Sequence, residues 1–231
     1  MLRARGVRTF LHYNSLFDIF KIIKGMNKFI KALIYFLLIG GIILLVFPVR
    51  WFPSFYDVRY MGWMALAGSA IIFFLPGLIF APKKAAETSK KNRVALWLQY
   101  FLAFTFAANA FGDLGLYKLY QYGFEFDKAL HFLISLLAVI ILPFVLGERW
   151  KIRPAYAVLI SFFTVVVFGV GWEVYEYLAD LLLKTHISGV YGLDISADTK
   201  ADLLFDFLGS ATGVISWVYL RKFFAEREKA R

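Results

Sequence analysis

Six apolar stretches, each long enough to cross a bilayer, constrain this chain more than any other feature. A transmembrane helix needs ~20 consecutive apolar residues. The stretches at roughly 29–48, 61–80, 94–112, 129–146, 155–183 and 203–220 approach or exceed that length. In lipid, backbone N–H and C=O groups must be satisfied within their own segment, which confines such a chain to helices. The expected fold class is therefore all-α, a polytopic membrane helical bundle of six transmembrane helices. Composition agrees: 61% of the residues are hydrophobic and mean hydropathy is +0.67, more than a soluble domain of this length carries. The fifth stretch is too long for a simple crossing, so its last turns should project beyond the hydrocarbon. Pro76, Pro143 and the Gly40-Gly41 pair fall inside spans, where kinks are tolerated.

Ahead of the first span, residues 1–28 are basic and amphipathic, with Lys21, Lys24, Lys28 and Lys31 at helical spacing beside Phe17, Phe20, Ile22 and Ile23. That pattern predicts an interfacial helix lying on the inner leaflet. A secretory signal is not expected, because no small-residue cleavage site follows the apolar run after Phe29. The domain plan is an N-terminal segment over 1–28, a six-helix membrane domain over 29–220, and a basic cytoplasmic tail over 221–231. With the N-terminus inside, only Arg50, Arg59, Lys118, Lys128, Lys184 and Lys200 of the 26 Lys and Arg fall outside. The positive-inside rule then places both termini in the cytoplasm of a multi-pass cell-membrane protein. The net charge of +10 reflects those inner loops and anionic lipid, not a nucleic-acid partner. With no cysteines, neither disulfides nor thiolate metal sites are available.

The acidic residues gather on the side opposite the basic loops. Asp57, Asp113, Glu125, Asp127, Glu173, Glu176, Asp180, Asp194, Asp198, Asp202 and Asp206 all fall at or near the outer face. With a rise of ~1.5 Å per residue, His131 stands about 27 Å above Arg149, Glu173 about 28 Å above Pro154, and Asp206 about 22 Å above Arg221. Three helices thus bring polar groups to similar depth. Their faces match too: Asp127 and His131 are i, i+4; Glu173, Glu176 and Asp180 are i, i+3, i+7; Asp198, Asp202 and Asp206 are i, i+4, i+8. Facing lipid, each charge costs about 2.5–3.5 kcal/mol or more at mid-depth, so the stripes should face one another or a wet cavity. Gly209 and Gly213, a small-xxx-small pair, should let span six pack closely just below the acids.

So many carboxylates with one imidazole need a counter-charge or protonation. Lys128, Lys184 and Lys200 are candidate partners, and a divalent cation neutralises the group more completely. The candidate metal ligands are Asp127, His131, Glu173, Glu176, Asp198, Asp202 and Asp206. An oxygen-rich set suits Mg²⁺, Mn²⁺ or Ca²⁺, and His131 with carboxylates also suits Zn²⁺. The blander alternatives are a solvated loop and helix N-cap for Asp194 and Asp198, and the wet end of a helix for Asp180.

Three segments carry a resemblance: FDKALHF (126–132), GVGWEVYEY (169–177) and DTKADLLFDFLGSATG (198–213). They resemble the inner-membrane proteins typified by YjdF, with FGD at 111–113 as a further match, and more distantly VanZ-type proteins. The likeness covers about 110–215, the motif-bearing part of the chain. Glu176 stands where VanZ-type proteins usually have Gln, Asp206 where they have Asn, and the arginine they carry before the final Asp is missing. Those departures favour the YjdF-like group. The resemblance implies a small polytopic protein of the cell envelope and brings no catalytic role with it.

The function expected from the residues is an acidic, divalent-metal-binding pocket at the outer leaflet, with membrane lipids as surroundings. As an enzyme, the chain would perform metal-assisted hydrolysis or transfer on a lipid-linked substrate. Glu173 or Glu176 would be the general base and His131 the proton donor or ligand. The alternatives are an ion- or proton-coupled transporter and a non-catalytic envelope scaffold. Substrate and oligomeric state are not written in the pattern.

Overall fold

The computed structural model describes residues 27–52, 55, 57–80, 88–189 and 194–229. The interfacial helix expected over 1–28 lies outside the described residues except for Asn27 and Lys28, which cap and open the first long helix. Among these residues the long elements are six helices: α1 (Lys28–Val46), α2 (Val58–Phe80), α3 (Thr88–Asp113), α4 (Phe126–Trp150), α5 (Pro154–Leu183) and α6 (Ile195–Lys229). Short 3₁₀ turns over Val49–Trp51 and Leu116–Tyr122 join α1 to α2 and α3 to α4. All six long helices contain a stretch long and apolar enough to cross a membrane. They match the expected spans, except that α6 starts before 203 and runs unbroken into the basic tail. Pro76 and Pro143 lie inside α2 and α4 without ending them.

The helix ends follow from local chemistry. The Asn27 side chain accepts from Phe29 N–H (2.8 Å) at the start of α1, and Asp194 does the same for Ser196 N–H (2.9 Å) at the start of α6, satisfying donors the helix leaves orphaned. Pro154 opens α5, where its fixed φ suits the first turn. Lys151 and Lys184 end α4 and α5 in the left-handed region at φ 57° and 59°. At the far end of α1, the Arg59 guanidinium reaches across from α2 to donate to the carbonyls of Leu44 (2.8 Å) and Leu45. Those terminal carbonyls would otherwise need water.

Burial is inverted relative to a soluble protein. Val167 and Phe168, in the middle of α5, are 67% and 74% exposed, whereas Glu173 on the same helix is 8% exposed. An apolar belt around buried charge is the pattern expected of helices solvated by lipid. The apolar core lies between neighbouring helices. Ile30 and Leu37 pack with Ile72 and Ala103, Val94 and Leu98 with Val145, and Ala138 and Val139 with Val165.

The most extensive helix pair is α4 with α6, and glycines explain it. A Cβ at Gly209 would collide with the backbone of Phe132, and one at Gly213 would lie 2.8 Å from Leu136 O and Val139 Cβ. The small-xxx-small spacing therefore does what was expected of it. Between α1 and α2 a second tight crossing appears, where a Cβ on Gly41 would lie 2.9 Å from Gly62 O.

Candidate functional site

The site forms where α4, α5 and α6 converge toward the end of the bundle that carries the α1–α2, α3–α4 and α5–α6 connections. Three helical ladders face inward there. Asp127, His131 and Ser135 succeed one another on α4. Asp198, Asp202, Asp206 and Ser210 do so on α6, and Gly169, Glu173 and Glu176 on α5.

Lys128 is the hub of the upper part. Its Nζ lies 2.5 Å from Asp198 Oδ1, 2.7 Å from Asp202 Oδ1 and 3.5 Å from Asp127 Oδ2. The residue is 6% exposed and Asp202 3%, so this is a desolvated ion cluster, not a surface pair. One turn deeper, the His131 imidazole bridges to α6. Its Nδ1 is 3.2 Å from Asp206 Oδ2, while Nε2 is 3.7 Å from Asp202 Oδ1 and 3.9 Å from Asp127 Oδ1. The other oxygen of Asp206 accepts a 2.6 Å hydrogen bond from the Ser135 hydroxyl. Room for Asp206 comes from Gly169 of α5, where any Cβ would collide with the carboxylate. Asp206 thus holds the imidazole by one nitrogen and aims the other at Asp127 and Asp202. Metal-binding histidines are commonly oriented by a carboxylate in this way.

One ligand-capable atom from each of Asp127, His131 and Asp202 lies within 4.8 Å of the other two. That triad is a possible metal site. Glu173 joins from α5, buried with His131, Asp127 and Asp206 as its charged neighbours. Its buried Oε1 has no hydrogen-bond partner. Such an orphaned oxygen costs several kcal/mol in hydrocarbon, unless a proton or cation meets it. Ser210 Oγ, at the foot of the α6 ladder, is orphaned in the same way.

The candidate residues do not all converge. Asp127, His131, Asp202 and Asp206 form one contiguous network with Lys128, and Asp198 joins at its upper edge through Lys128. Glu173 meets that network, whereas Glu176 lines a separate cavity. Asp180 turns away altogether: it accepts from Ile187 N–H (2.9 Å), Ser188 N–H (3.0 Å), the Thr185 hydroxyl (2.7 Å) and the Ser188 hydroxyl. It anchors the loop after α5, as Asp194 caps α6. Among the three lysines considered as counter-charges, Lys128 is the one inside the network.

Sequence reasoning missed Ser135 and Gly169. Both were within reach of helical periodicity, because Ser135 is i+4 from His131 and Gly169 is i−4 from Glu173. It also missed the cavity, whose walls come from segments far apart in the chain.

That cavity, of about 250 Å³, opens beside the network. Asp57, Tyr60, Asp113, Tyr117 and Glu176 contribute to its walls, and it shares Asp127, Lys128 and Asp198 with the network. Its walls are pinned. Asp57 accepts from His186 N–H (2.9 Å), tying the α1–α2 connection to the loop after α5. The Tyr117 hydroxyl donates to Asn109 (2.9 Å), and its ring lies on Gly112, where a Cβ would collide with it. Burial holds the Tyr117 phenol well above the ordinary tyrosine range, so it stays a neutral donor.

Comparison with known proteins agrees with this architecture. An uncharacterized protein of Thermotoga maritima is 36% identical over 108 residues, covering 46% of this chain and 53% of the relative. The chain therefore spans about half the length of that curated relative. No solved structure matches. Residues 34–223 match the family described as "Predicted membrane protein (DUF2238)", a match that takes in all the site ladders, and the chain belongs to that membrane-protein family.

Proposed function

We propose that this membrane protein binds a divalent cation at Asp127, His131 and Asp202 and uses it for hydrolysis or group transfer on a lipid-linked substrate at the outer leaflet. The observation behind this is the triad's 4.8 Å spacing beside the orphaned Glu173 Oε1. One imidazole nitrogen with carboxylate oxygens suits Zn²⁺ or Mn²⁺ best, and Mg²⁺ or Ca²⁺ if oxygen from Glu173 and water completes the set. Asp206 and Ser135 would orient His131, and Lys128 would neutralise Asp198 and part of Asp202. A cation here would act as a Lewis acid on a phosphoryl or carbonyl oxygen. Glu173, or Glu176 from the cavity side, would take the proton of the attacking water and return it to the leaving oxygen, while His131 is committed to the cation through one nitrogen and to Asp206 through the other. The excess of Lys and Arg at the opposite end supports the outer-leaflet placement. The YjdF-like motifs, and their more distant likeness to VanZ-type proteins, support a cell-envelope location.

A proton-coupled carrier is the second reading, favoured by the continuous run Ser135–Asp206–His131–Asp202–Lys128–Asp198. Membrane carboxylates and histidines form such relays. Below Asp206, however, the buried polar groups named among the described residues carry no charge: serines, a tryptophan N–H and Gln99, which is bonded to Ile72 O, while Ser161 is bonded to its own helix at Ala157 O.

Metal analysis of the purified protein separates these. About one equivalent of cation, removable by chelator and lost in Asp202→Asn and His131→Ala, is expected. Absence of bound metal after reconstitution with Zn²⁺, Mn²⁺, Mg²⁺ and Ca²⁺ would sink the metal site. Proton uptake into liposomes by the same preparation would then favour the carrier.

A further inference from the structure

We infer that the cavity beside the network binds an organic ammonium group, which makes the substrate class of the proposed site an amine-bearing headgroup. The inference deepens the metal-site reading by naming what enters next to it.

The cavity has its own chemistry. Lys128 points its ammonium into Asp198 and Asp202 and so is spent on the network. Asp113 has no hydrogen bond or ion pair among the described residues, and its strongest charged neighbour is another carboxylate, Asp57. Glu176 likewise has no ion pair among the described residues, and its strongest charged neighbour is another carboxylate, Glu173. Like charges at a dry helix end repel one another, and a cation in the space between them relieves the repulsion.

The walls decide which kind of cation. Tyr60, Tyr117 and Tyr120 line the same space as Asp113 and Glu176. Aromatic rings with nearby carboxylates make the cage that recognises weakly hydrated organic cations, quaternary ammonium above all. A bare divalent ion prefers the compact Asp127–His131–Asp202 triad and gains little from aromatic faces. At about 250 Å³, the space is large for an ion and small for a whole lipid. It fits a headgroup. The cage is also preformed, since Asn109, Gly112, Asp57 and Asp180 fix its walls. Little ordering cost falls on the ligand. A free phosphate is disfavoured by the same carboxylates. A zwitterionic headgroup resolves the conflict by placing its ammonium in the cage and its phosphate toward the cation site.

Two sources offer this group, a lipid headgroup and a free amine. The test uses the full chain in nanodiscs of phosphatidylglycerol alone, titrated calorimetrically with choline, ethanolamine, phosphocholine and inorganic phosphate. Saturable binding of choline or ethanolamine is expected, without binding of phosphate in metal-free protein. Asp113→Asn, Glu176→Gln and Tyr117→Leu should each weaken it at least tenfold, while metal uptake at the triad stays at wild-type level in Asp113→Asn and Tyr117→Leu. Competition by phosphatidylethanolamine or phosphatidylcholine in the nanodisc assigns the cage to lipid headgroups; lack of competition assigns it to soluble amines. No saturable ammonium binding, or binding unchanged in all three variants, overturns the inference. Failure here with intact metal binding leaves the metal site standing. Ammonium binding without metal uptake removes the metal site and keeps the cage.

Discussion

Two helix crossings in this protein use glycine in the same way and for opposite ends. Where α1 meets α2, Gly41 lies against Gly62 and Leu66, and the close approach is filled with apolar contacts. Where α4, α5 and α6 meet, Gly209 and Gly213 bring backbones together while Gly169 makes room for the Asp206 carboxylate. Without a hydrophobic force between helices in lipid, both crossings depend on close packing. The second adds a desolvated charge network, whose members are held in place by that packing. Small residues in a membrane bundle thus build contact in one place and a polar chamber in another.

The largest break in this comparison should come from Lys128→Met. Removing one partner of a buried ion cluster costs about 3–5 kcal/mol, and no single change at the α1–α2 crossing should approach that. Thermal unfolding in detergent would show it, and adding Asp202→Asn should recover part of the loss because the two sites share a partner. An unchanged melting temperature for Lys128→Met would mean that the cluster is solvated and the contrast false.

Gly209→Ala comes next. Its Cβ would meet the rigid Phe132 backbone, and overpacking of this kind costs about 1–3 kcal/mol. Gly41→Ala should cost less, since two of its three closest atoms belong to the flexible Leu66 side chain. Equal losses at both positions would show that the α4–α6 contact has no special status.

Ser135→Ala sharpens the contrast from the chemical side. It leaves Asp206 Oδ1 without its donor, at about 1–3 kcal/mol, and loosens His131. Metal affinity should fall about tenfold or more, as for other residues that orient a ligand; Ser135→Thr should restore much of it. Loss of stability with unchanged affinity would make the serine a packing residue only. The smallest effect is expected for Gly40→Ala, where no atom lies within 4 Å. That change should be neutral, or stabilising by up to ~1 kcal/mol through helix propensity.

Much of the bundle was legible without coordinates. Span positions follow from runs of apolar residues, a property local to each segment. The glycine pair on α6 follows from equally local spacing, but the N-cap read at Asp198 falls to Asp194, and Asp198 pairs with Lys128 instead. Periodicity also placed His131, Asp202 and Asp206 on inward-facing ladders at matching depth. It treated Glu173, Glu176 and Asp180 as one stripe, however, and the structure divides them. Glu173 meets the network, Glu176 the cavity, and Asp180 its own loop. A stripe on a helix says which residues share a face, but not which neighbour each one finds.

The sequence by itself determined that this chain is a six-helix membrane bundle with most of its acids gathered at one end, because hydropathy and helical period act along the chain. Only the tertiary structure decided that Lys128, out of three candidate lysines, carries the counter-charge, and that Asp206 holds His131 by one nitrogen with Ser135 behind it. The cavity, too, exists only because five helices, α2 to α6, and three connections meet. Ion pairing and orientation depend on distances of a few ångströms between segments about 70 residues apart, and no local pattern specifies those.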